Sequence, residues 1–537
     1  MAPVQTPSSQ LSGETLYQFL LAEIANQRGQ REVAAAAYAD LARETGDPAI
    51  AQRAVEVALL SRDPQLAAQA TNLWLELEPD STTARQTLIA LLLTTGRINE
   101  AEPHIKRLFA KEPETVGRVF LQLGGLTARY ADKQAVLKLM TDLAADYPNL
   151  AEARFATAQA ASAAQQPAMA LDQSKAALNL RPGWEPAALL HGGLLTQSVP
   201  REAIQFYRRF IEQHPAAREV RTQLARQLAS EKDFAGARKE FEALATAAPN
   251  TAEYHFALGI LSVEMKDYAA AEKHLNRTLQ LNFRDPDLVR TYLGQLNEEQ
   301  KRYPEAIAWY RQVTGGESYF PARVRVAALM AKQGDLAGGR EYLRKIRVST
   351  AEQQAQTVIA EAQILREARQ LPAAMEVLSE GLKAQPDSPE ILYDRAMTAE
   401  KLDKLDLLEA DLRKVIALKP DHAHAYNALG YTLAERNTRL AEALDLIEKA
   451  YQLAPDDAAI LDSLGWVHYR LGNLDQGLIY LRQALALRPD PEVAAHLVEV
   501  LLAHGERREA VRVSEKALRD NPDNEALLAV LKKLERQ

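Results

Sequence analysis

The chain has 537 residues and no cysteine, and its 64 basic and 72 acidic residues give a net charge of −8. The lack of cysteine excludes disulfides, thiolate zinc sites and a cysteine nucleophile. The sequence has no long basic run, so its charge pattern does not predict nucleic acid as a partner. Apolar residues make up 47% of the chain and aromatics only 6%, which favours close-packed helices over sheets rich in aromatic and β-branched residues.

The first segment, residues 1–12, is rich in Pro, Ser, Thr and Gln and is predicted to be a flexible leader at a processed or trimmed N-terminus. It has neither the charged n-region nor the apolar h-region of a signal peptide. No apolar run in the sequence is long enough to predict a membrane-spanning helix.

The first predicted helix, residues 14–27, is apolar on nearly every side. Later units pack on the preceding unit through this face, but the first unit has none before it. We therefore predict an exposed protein-binding surface here. Its residues are Leu16, Tyr17, Phe19, Leu20 and Ile24. The alternative is that residues 2–12 fold back and cover this face.

A repeat dominates the rest of the chain. Alanine recurs every 33 to 35 residues, and a proline follows most of these alanines twelve positions later. The alanines are Ala34, Ala67, Ala101, Ala135, Ala170, Ala203, Ala237, Ala271 and Ala306. Such a period predicts stacked supersecondary units, each unable to bury its apolar face alone.

Residues 458–491 show most clearly what each unit contains. A first helix carries the Leu464-Gly465 pair, Gly472-Asn473 ends that helix, and a second helix has apolar residues at i, i+3 and i+4 spacing before "RPDP" stops it. Small residues are predicted to let the two helices approach, with bulky ones filling the space beyond. The glycines are Gly259, Gly294, Gly430 and Gly465, and the bulky residues are Tyr38, Tyr207, Phe241 and Tyr310.

This unit, with Leu-Gly, Ala, an aromatic or Leu, Ala and Pro in that order, resembles the tetratricopeptide repeat. The resemblance covers about residues 13–523 in fourteen or fifteen units, of which 114–148 and 319–351 match poorly, and leaves 524–537 as a capping helix. It implies an all-α, right-handed superhelical solenoid whose first helices line a concave groove. Counting from the Leu-Gly pair predicts the groove residues Asn427, Tyr431, Asp462, Trp466 and Tyr469 as protein-binding. Trp466 has the alternative of packing into the adjacent repeat.

Asp462, Ser463 and His468 lie within seven positions and could suggest a hydrolase. On one helix they project in different directions, and no G-x-S-x-G turn surrounds the serine. The repeat accounts for each residue, with His468 as a packed histidine. His422 and His424 point to different sides of a helix. We therefore predict no catalytic site, no metal and no cofactor, and a chain that is not an enzyme.

Three C-terminal stretches, residues 427–436, 458–472 and 490–501, also resemble long tetratricopeptide lipoproteins of the bacterial outer membrane that serve as protease adaptors. This resemblance implies a periplasmic protein, anchored by a lipid added upstream of Met1. It also implies two kinds of partner: a carboxyl-terminal processing protease and the protein substrates delivered to it, such as peptidoglycan hydrolases. The alternatives are an assembly scaffold for a secretin or polysaccharide export machine, and a cytosolic regulatory arm of an enzyme.

Overall fold

The computed structural model of the chain describes residues 12–128 and 130–536. Across these residues every regular element is helical: there are 31 α-helices and one short 3-10 helix at Pro113–Thr115, and no strand. The predicted all-α class is confirmed. The helices are grouped in two compact units, residues 1–274 and 275–537.

Helices α1 to α15 belong to the N-terminal unit, and helix α16 contains the division between the units. Their bounds are α1 Gly13–Gln27, α2 Arg31–Thr45, α3 Pro48–Ser61, α4 Pro64–Leu77, α5 Thr82–Thr94, α6 Ile98–Lys111, α7 Val116–Thr127, α8 Lys133–Ala144, α9 Ala151–Ala163, α10 Pro167–Leu180, α11 Glu185–Ser198, α12 Pro200–Gln213, α13 Arg218–Ser230, α14 Phe234–Ala247, α15 Ala252–Glu264 and α16 Tyr268–Gln280.

Helices α17 to α31 belong to the C-terminal unit. Their bounds are α17 Pro286–Glu299, α18 Tyr303–Arg311, α19 Tyr319–Lys332, α20 Leu336–Arg344, α21 Ala351–Glu367, α22 Leu371–Ala384, α23 Pro389–Lys401, α24 Leu405–Leu418, α25 Ala423–Glu435, α26 Leu440–Leu453, α27 Ala458–Arg470, α28 Leu474–Leu487, α29 Pro491–His504, α30 Arg507–Asp520 and α31 Glu525–Arg536.

The odd-numbered helices are the first helices of consecutive pairs, and the even-numbered helices are the second. In most pairs a first helix packs on its own second helix, and the second helix packs on the next first helix. The stretches that match the repeat poorly, 114–148 and 319–351, still form the helices α7 and α8 and the helices α19 and α20. Helix α19 packs on α20, whereas α7 and α8 both pack on α9. One continuous solenoid over 13–523 stays a prediction.

The recurring alanines fill the space between the paired helices. Ala34, Ala101, Ala203 and Ala237 are completely buried, whereas Ala135, in a poorly matching repeat, is only partly buried. A side chain no larger than a methyl group lets two helices approach to van der Waals contact of their backbones. The position therefore predicts burial wherever the repeat is well formed.

Glycines of the first helices make the closest approach. A Cβ added at Gly465 would lie 2.6 Å from Leu481 Cγ and 3.0 Å from the carbonyl oxygen of Gly477, which holds the alanine position of its repeat. A Cβ at Gly294 would lie 2.5 Å from the ring of Tyr310, which is itself buried. The predicted pairing of a small residue with a bulky one is confirmed at both sites.

The turn inside most pairs contains a residue in the left-handed region, although Val199, between α11 and α12, has φ of −143°. Gly472 adopts the left-handed conformation with φ of 84°, as predicted, but Asn473 has φ of −85° and only precedes α28. Elsewhere in the C-terminal unit Lys301, Arg369 and Asp403 take the same conformation with φ of 56° to 59°. A left-handed conformation costs non-glycine residues roughly 1–2 kcal/mol, so tertiary packing, and not residue preference, sets these turns.

Candidate functional site

Helix α1 presents an apolar surface, and its role in protein binding stays a prediction. Ser12 accepts a hydrogen bond from the backbone N–H of Thr15 at 3.0 Å and starts the helix. The buried side of α1 uses small residues, Ala22 and Ala25. The large apolar side chains lie on the other sides, with exposed fractions of 48% for Leu16, 66% for Tyr17, 36% for Phe19, 50% for Leu20 and 46% for Ile24. The alternative covering segment, residues 2–12, lies outside the described residues except for Ser12.

Phe19 is the most involved of these residues in the protein's own packing. Its ring meets the ring of Tyr38 edge-on, with centroids 5.8 Å apart. The Tyr38 hydroxyl donates to the Glu23 carboxylate, and burial, followed by this hydrogen bond, raises the pKa of Tyr38 to about 12. Phe19 thus borders the apolar surface of α1 while the other four side chains project from it.

A second candidate surface lies on the first helices of the C-terminal unit, where α25, α27 and α29 contact one another in succession. We call the side formed by these three helices the first-helix face. The structure brings three of the five residues predicted here, Tyr431, Asp462 and Trp466, around one further side chain, His496 of α29. Tyr469 contacts the ring of Trp466, with centroids 5.1 Å apart. The ring centroids of Trp466 and His496 are 4.2 Å apart, and those of Tyr431 and His496 are 6.2 Å apart.

Trp466 is only 5% exposed. Its ring stacks on His496 of the following repeat, and its indole N–H donates to Glu435 Oε2 of the preceding repeat at 2.8 Å. The alternative that Trp466 packs between repeats therefore describes its position. Asp462 is also buried, at 8% exposed. Both residues therefore lie beneath the accessible side chains of the first-helix face and support them.

Three of the predicted groove residues remain partly accessible: Asn427, Tyr431 and Tyr469 are half-buried. The Asn427 Oδ1 atom is buried and has no hydrogen-bond partner among the described residues. The Tyr469 hydroxyl is 3.4 Å from Glu499 Oε1, and burial, then that carboxylate, raises the pKa of Tyr469. Whether these residues contact a partner stays a prediction.

The first-helix face carries negative charge. Burial raises the pKa of Tyr431 far above its usual value, and the carboxylates of Glu435, Asp462, Glu492 and Glu400 raise it further. Glu435, Asp462 and Glu492 lie on α25, α27 and α29, and Glu400 lies on the preceding first helix, α23. Asp462 is paired with His496, so Glu435 and Glu492 are the carboxylates of the face that favour a basic group over an acidic one.

His496 is the residue of this face that sequence reasoning missed. Its Nδ1 lies 2.9 Å from Asp462 Oδ1 and 3.0 Å from Asp462 Oδ2. Burial opposes the charged imidazole, but the hydrogen bond and charge of Asp462 outweigh it and raise the pKa of His496. The sequence did contain one sign of this contact. Asp462 and His496 are 34 residues apart, the length of one repeat, so they occupy the same position on neighbouring first helices.

The structure separates the trio Asp462, Ser463 and His468. Asp462 pairs with His496, the Ser463 hydroxyl donates to the Ala459 carbonyl at 2.9 Å, and the His468 ring stacks on Tyr480 with centroids 5.6 Å apart. Each side chain thus has its own packing role, and His468 is a packed histidine as predicted.

The region around His422 and His424 is equally structural. The His422 Nδ1 accepts from the backbone N–H of Ala425 at 3.1 Å and caps α25.

Over the described residues, no group of three or more His, Asp or Glu side chains is arranged to hold a metal ion. Within the same part of the chain, no helix combines the length and the apolar character needed to cross a membrane.

Stacked helix pairs with a 34-residue period, close-packed through alanine and glycine, define a tetratricopeptide repeat protein, and the chain belongs to this family. The family model described as "Tetratricopeptide repeat" matches residues 256–318, 409–458 and 439–493. The chain is 35% identical over 490 residues to the TPR repeat-containing protein PA4667 of Pseudomonas aeruginosa, covering 91% of this chain and 82% of that protein.

More distant similarities extend to other proteins. The chain is 25% identical over 336 residues to the cellulose synthase operon protein C of Pseudomonas fluorescens, and this match spans 58% of the chain but only 26% of that relative. It also matches the crystal structure of TTC0263, a thermophilic TPR protein of Thermus thermophilus, at 26% identity and a TM-score of 0.32, over 34% of this chain and 100% of that one. The tetratricopeptide fold is generally a non-catalytic scaffold for protein–protein interaction.

Proposed function

We propose that this protein is a non-catalytic adaptor that docks a periplasmic carboxyl-terminal processing serine protease and presents protein substrates to it. The observation that carries the proposal is the exposed apolar surface of α1, where Tyr17, Leu20 and Ile24 are 46% to 66% exposed. Monomeric soluble proteins rarely leave large apolar side chains clustered in water unless a partner covers them. Burying each such side chain in an interface contributes roughly 1.5–3 kcal/mol.

An adaptor of this kind accelerates proteolysis without chemistry of its own. It holds the protease at one place and the substrate at another, so that the second encounter occurs at the high effective concentration set by the scaffold. The first-helix face is the second proposed surface, with Tyr431 and Tyr469 as partly accessible aromatics. Its carboxylates favour substrate segments that carry lysine or arginine, and peptidoglycan hydrolases are the proposed substrates.

The choice of protease rests on the resemblance of residues 427–436, 458–472 and 490–501 to LbcA, the outer-membrane lipoprotein adaptor of the protease CtpA. The same resemblance supports a periplasmic location with a lipid anchor attached upstream of this sequence. Fractionation of cells that express the natural gene, with detection of the protein in outer-membrane fractions, tests the location. Recovery in the cytosol contradicts it.

Calorimetric titration of the full chain with the purified protease tests the docking surface. We expect Leu20→Glu and Tyr17→Ser to weaken binding by at least about tenfold, because each removes an exposed apolar contact. Leu487→Glu is the matched control, since Leu487 is also exposed, at 56%, but lies in the C-terminal unit. Wild-type affinity in both α1 variants places docking elsewhere, and no binding by the wild-type chain removes the protease as partner.

A second candidate is an assembly scaffold for an outer-membrane export machine. The similarity to the cellulose synthase operon protein C favours it, although the chain spans about a quarter of that relative. Affinity purification from the native envelope separates the two proposals. Recovery of exporter or secretin subunits in place of a serine protease supports the scaffold.

A further inference from the structure

Two histidines face each other across one helix pair of the N-terminal unit. His255 lies in the first turn of α15 and His274 lies on α16, and their Nδ1 atoms are 3.1 Å apart. The rings are nearly parallel, with centroids 5.4 Å apart and an interplanar angle of 24°. Both side chains are partly exposed, so solvent reaches them.

The protonation of His255 follows from its other neighbour. Its Nε2 is 3.1 Å from the carbonyl oxygen of Pro249, and a carbonyl oxygen can only accept a hydrogen bond. The hydrogen of neutral His255 therefore lies on Nε2, and its Nδ1 directs a lone pair toward His274. Histidines that bind metals have this arrangement, with one ring N–H held by a carbonyl and the other nitrogen free to coordinate.

In other repeats the two residues at these positions, 19 residues apart, form a hydrogen bond between a donor on the first helix and an acceptor on the second helix. Arg154 donates to the Pro148 carbonyl and to Gln173 Oε1, and Arg323 donates to the Tyr342 hydroxyl. In the pair His255 and His274 the acceptor is replaced by a second imidazole. In this structure the Nδ1–H of His274 donates to the Nδ1 lone pair of His255. A shift of this hydrogen to His274 Nε2 leaves two nitrogen lone pairs at one point, which an Arg–Gln or Arg–Tyr pair cannot provide.

The separation matches the bite of one metal ion. With metal–nitrogen bonds of about 2.0–2.1 Å, two nitrogens lie roughly 2.9 Å apart at a right angle and roughly 3.3 Å apart at the tetrahedral angle. We propose that His255 and His274 form a two-histidine chelate for a borderline divalent transition metal, with Cu²⁺ and Zn²⁺ as the ions that imidazole favours. Water completes the coordination.

The site links the first and second helices of one repeat, and it is independent of the proposed adaptor function. Calorimetric titration of untagged, chelator-treated full chain with Zn²⁺ and Cu²⁺ tests it. A polyhistidine tag is removed beforehand because it binds the same ions. We expect saturable binding of one equivalent, lost in His255→Ala and in His274→Gln.

The variants are chosen so that a folding defect and a lost ligand are distinguishable. His274→Gln places glutamine where the repeat of Arg154 has Gln173, so the helix pair keeps a hydrogen-bonding partner, and circular dichroism checks the fold. His424→Ala, which removes an exposed histidine of the C-terminal unit, is the control and retains binding.

Electron paramagnetic resonance of the Cu²⁺ adduct gives an independent readout. Coordination by both histidines predicts hyperfine coupling to two imidazole nitrogens in the wild-type adduct, and this two-nitrogen signal should be absent from either variant. Absence of saturable binding by the wild-type chain, or binding unchanged in both variants, overturns the proposal.

Discussion

The imidazole Nδ1 of His496 lies 2.9 Å from the carboxylate of Asp462, which is 34 residues earlier in the chain. The two residues occupy one position on neighbouring first helices, so their contact joins two repeats. Both are largely buried, with side chains 18% and 12% exposed. The contact therefore stabilises the packing of two repeats inside the C-terminal unit. We expect the strength of this stabilisation to depend on pH.

The pair should make the stability of the C-terminal unit depend on pH. Asp462 raises the pKa of His496 in the folded protein, so its stabilisation is fully present below the ordinary histidine pKa of about 6.5. It is lost as the pH rises through the raised pKa. We expect Asp462→Asn to lower the urea midpoint more at about pH 6 than at about pH 9, with a loss of roughly 1–3 kcal/mol at the lower pH.

Asp475 provides the matched control for this prediction. Its carboxylate is 3.0 Å from His504 Nε2, but its side chain is 89% exposed. Water already solvates this pair, so Asp475→Asn should change stability by no more than about 0.5–1 kcal/mol. Equal effects of Asp462→Asn at both pH values contradict the assignment.

Trp466 should stabilise the C-terminal unit through two separable contacts. Trp466→Phe keeps an aromatic ring against His496 but removes the indole N–H that donates to Glu435. We expect it to cost about 1.5–3 kcal/mol, the range for a hydrogen bond to a charged group. Trp466→Ala also leaves a cavity and should cost about 3–5 kcal/mol. Chemical unfolding followed by circular dichroism measures both losses, and a Trp466→Phe variant as stable as the wild type would show that the hydrogen bond makes no separate contribution.

Gly465 should not tolerate a methyl group. A Cβ there lies 2.6 Å from Leu481 Cγ and 3.0 Å from a backbone carbonyl, so Gly465→Ala should destabilise by about 1–3 kcal/mol. Gly193 of α11 is the matched control, because nothing lies within 4 Å of its Cβ position. There the higher helix propensity of alanine should add up to about 1 kcal/mol. Thermal unfolding of both variants checks the opposite signs.

Left-handed turn residues offer a test of stored backbone strain. Arg369 has φ of 59°, and its side chain is exposed. Arg369→Gly should gain up to about 1 kcal/mol, since relief of the left-handed penalty exceeds the added freedom of the unfolded chain. The reverse change, Gly472→Ala at φ of 84°, should lose about 1 kcal/mol. A loss of stability in Arg369→Gly would show that its side chain makes a contact that offsets the strain.

The sequence alone was sufficient for features that depend on position within a repeat. Burial of Ala34 and Ala203, the close approach at Gly465 and the left-handed turn at Gly472 all follow from local periodicity. The same periodicity predicted the exposure of Leu20 and Tyr17, because among the described residues no helix precedes α1.

Only the tertiary structure decided which side chains meet across the stack. The pairing of Asp462 with His496, the burial of Trp466 between two repeats and the facing imidazoles of His255 and His274 join residues on different helices. Helical periodicity tells which side of its own helix a residue occupies. It does not tell how neighbouring helices are spaced and rotated, and that packing geometry sets whether a polar side chain lines a surface or finds a buried partner.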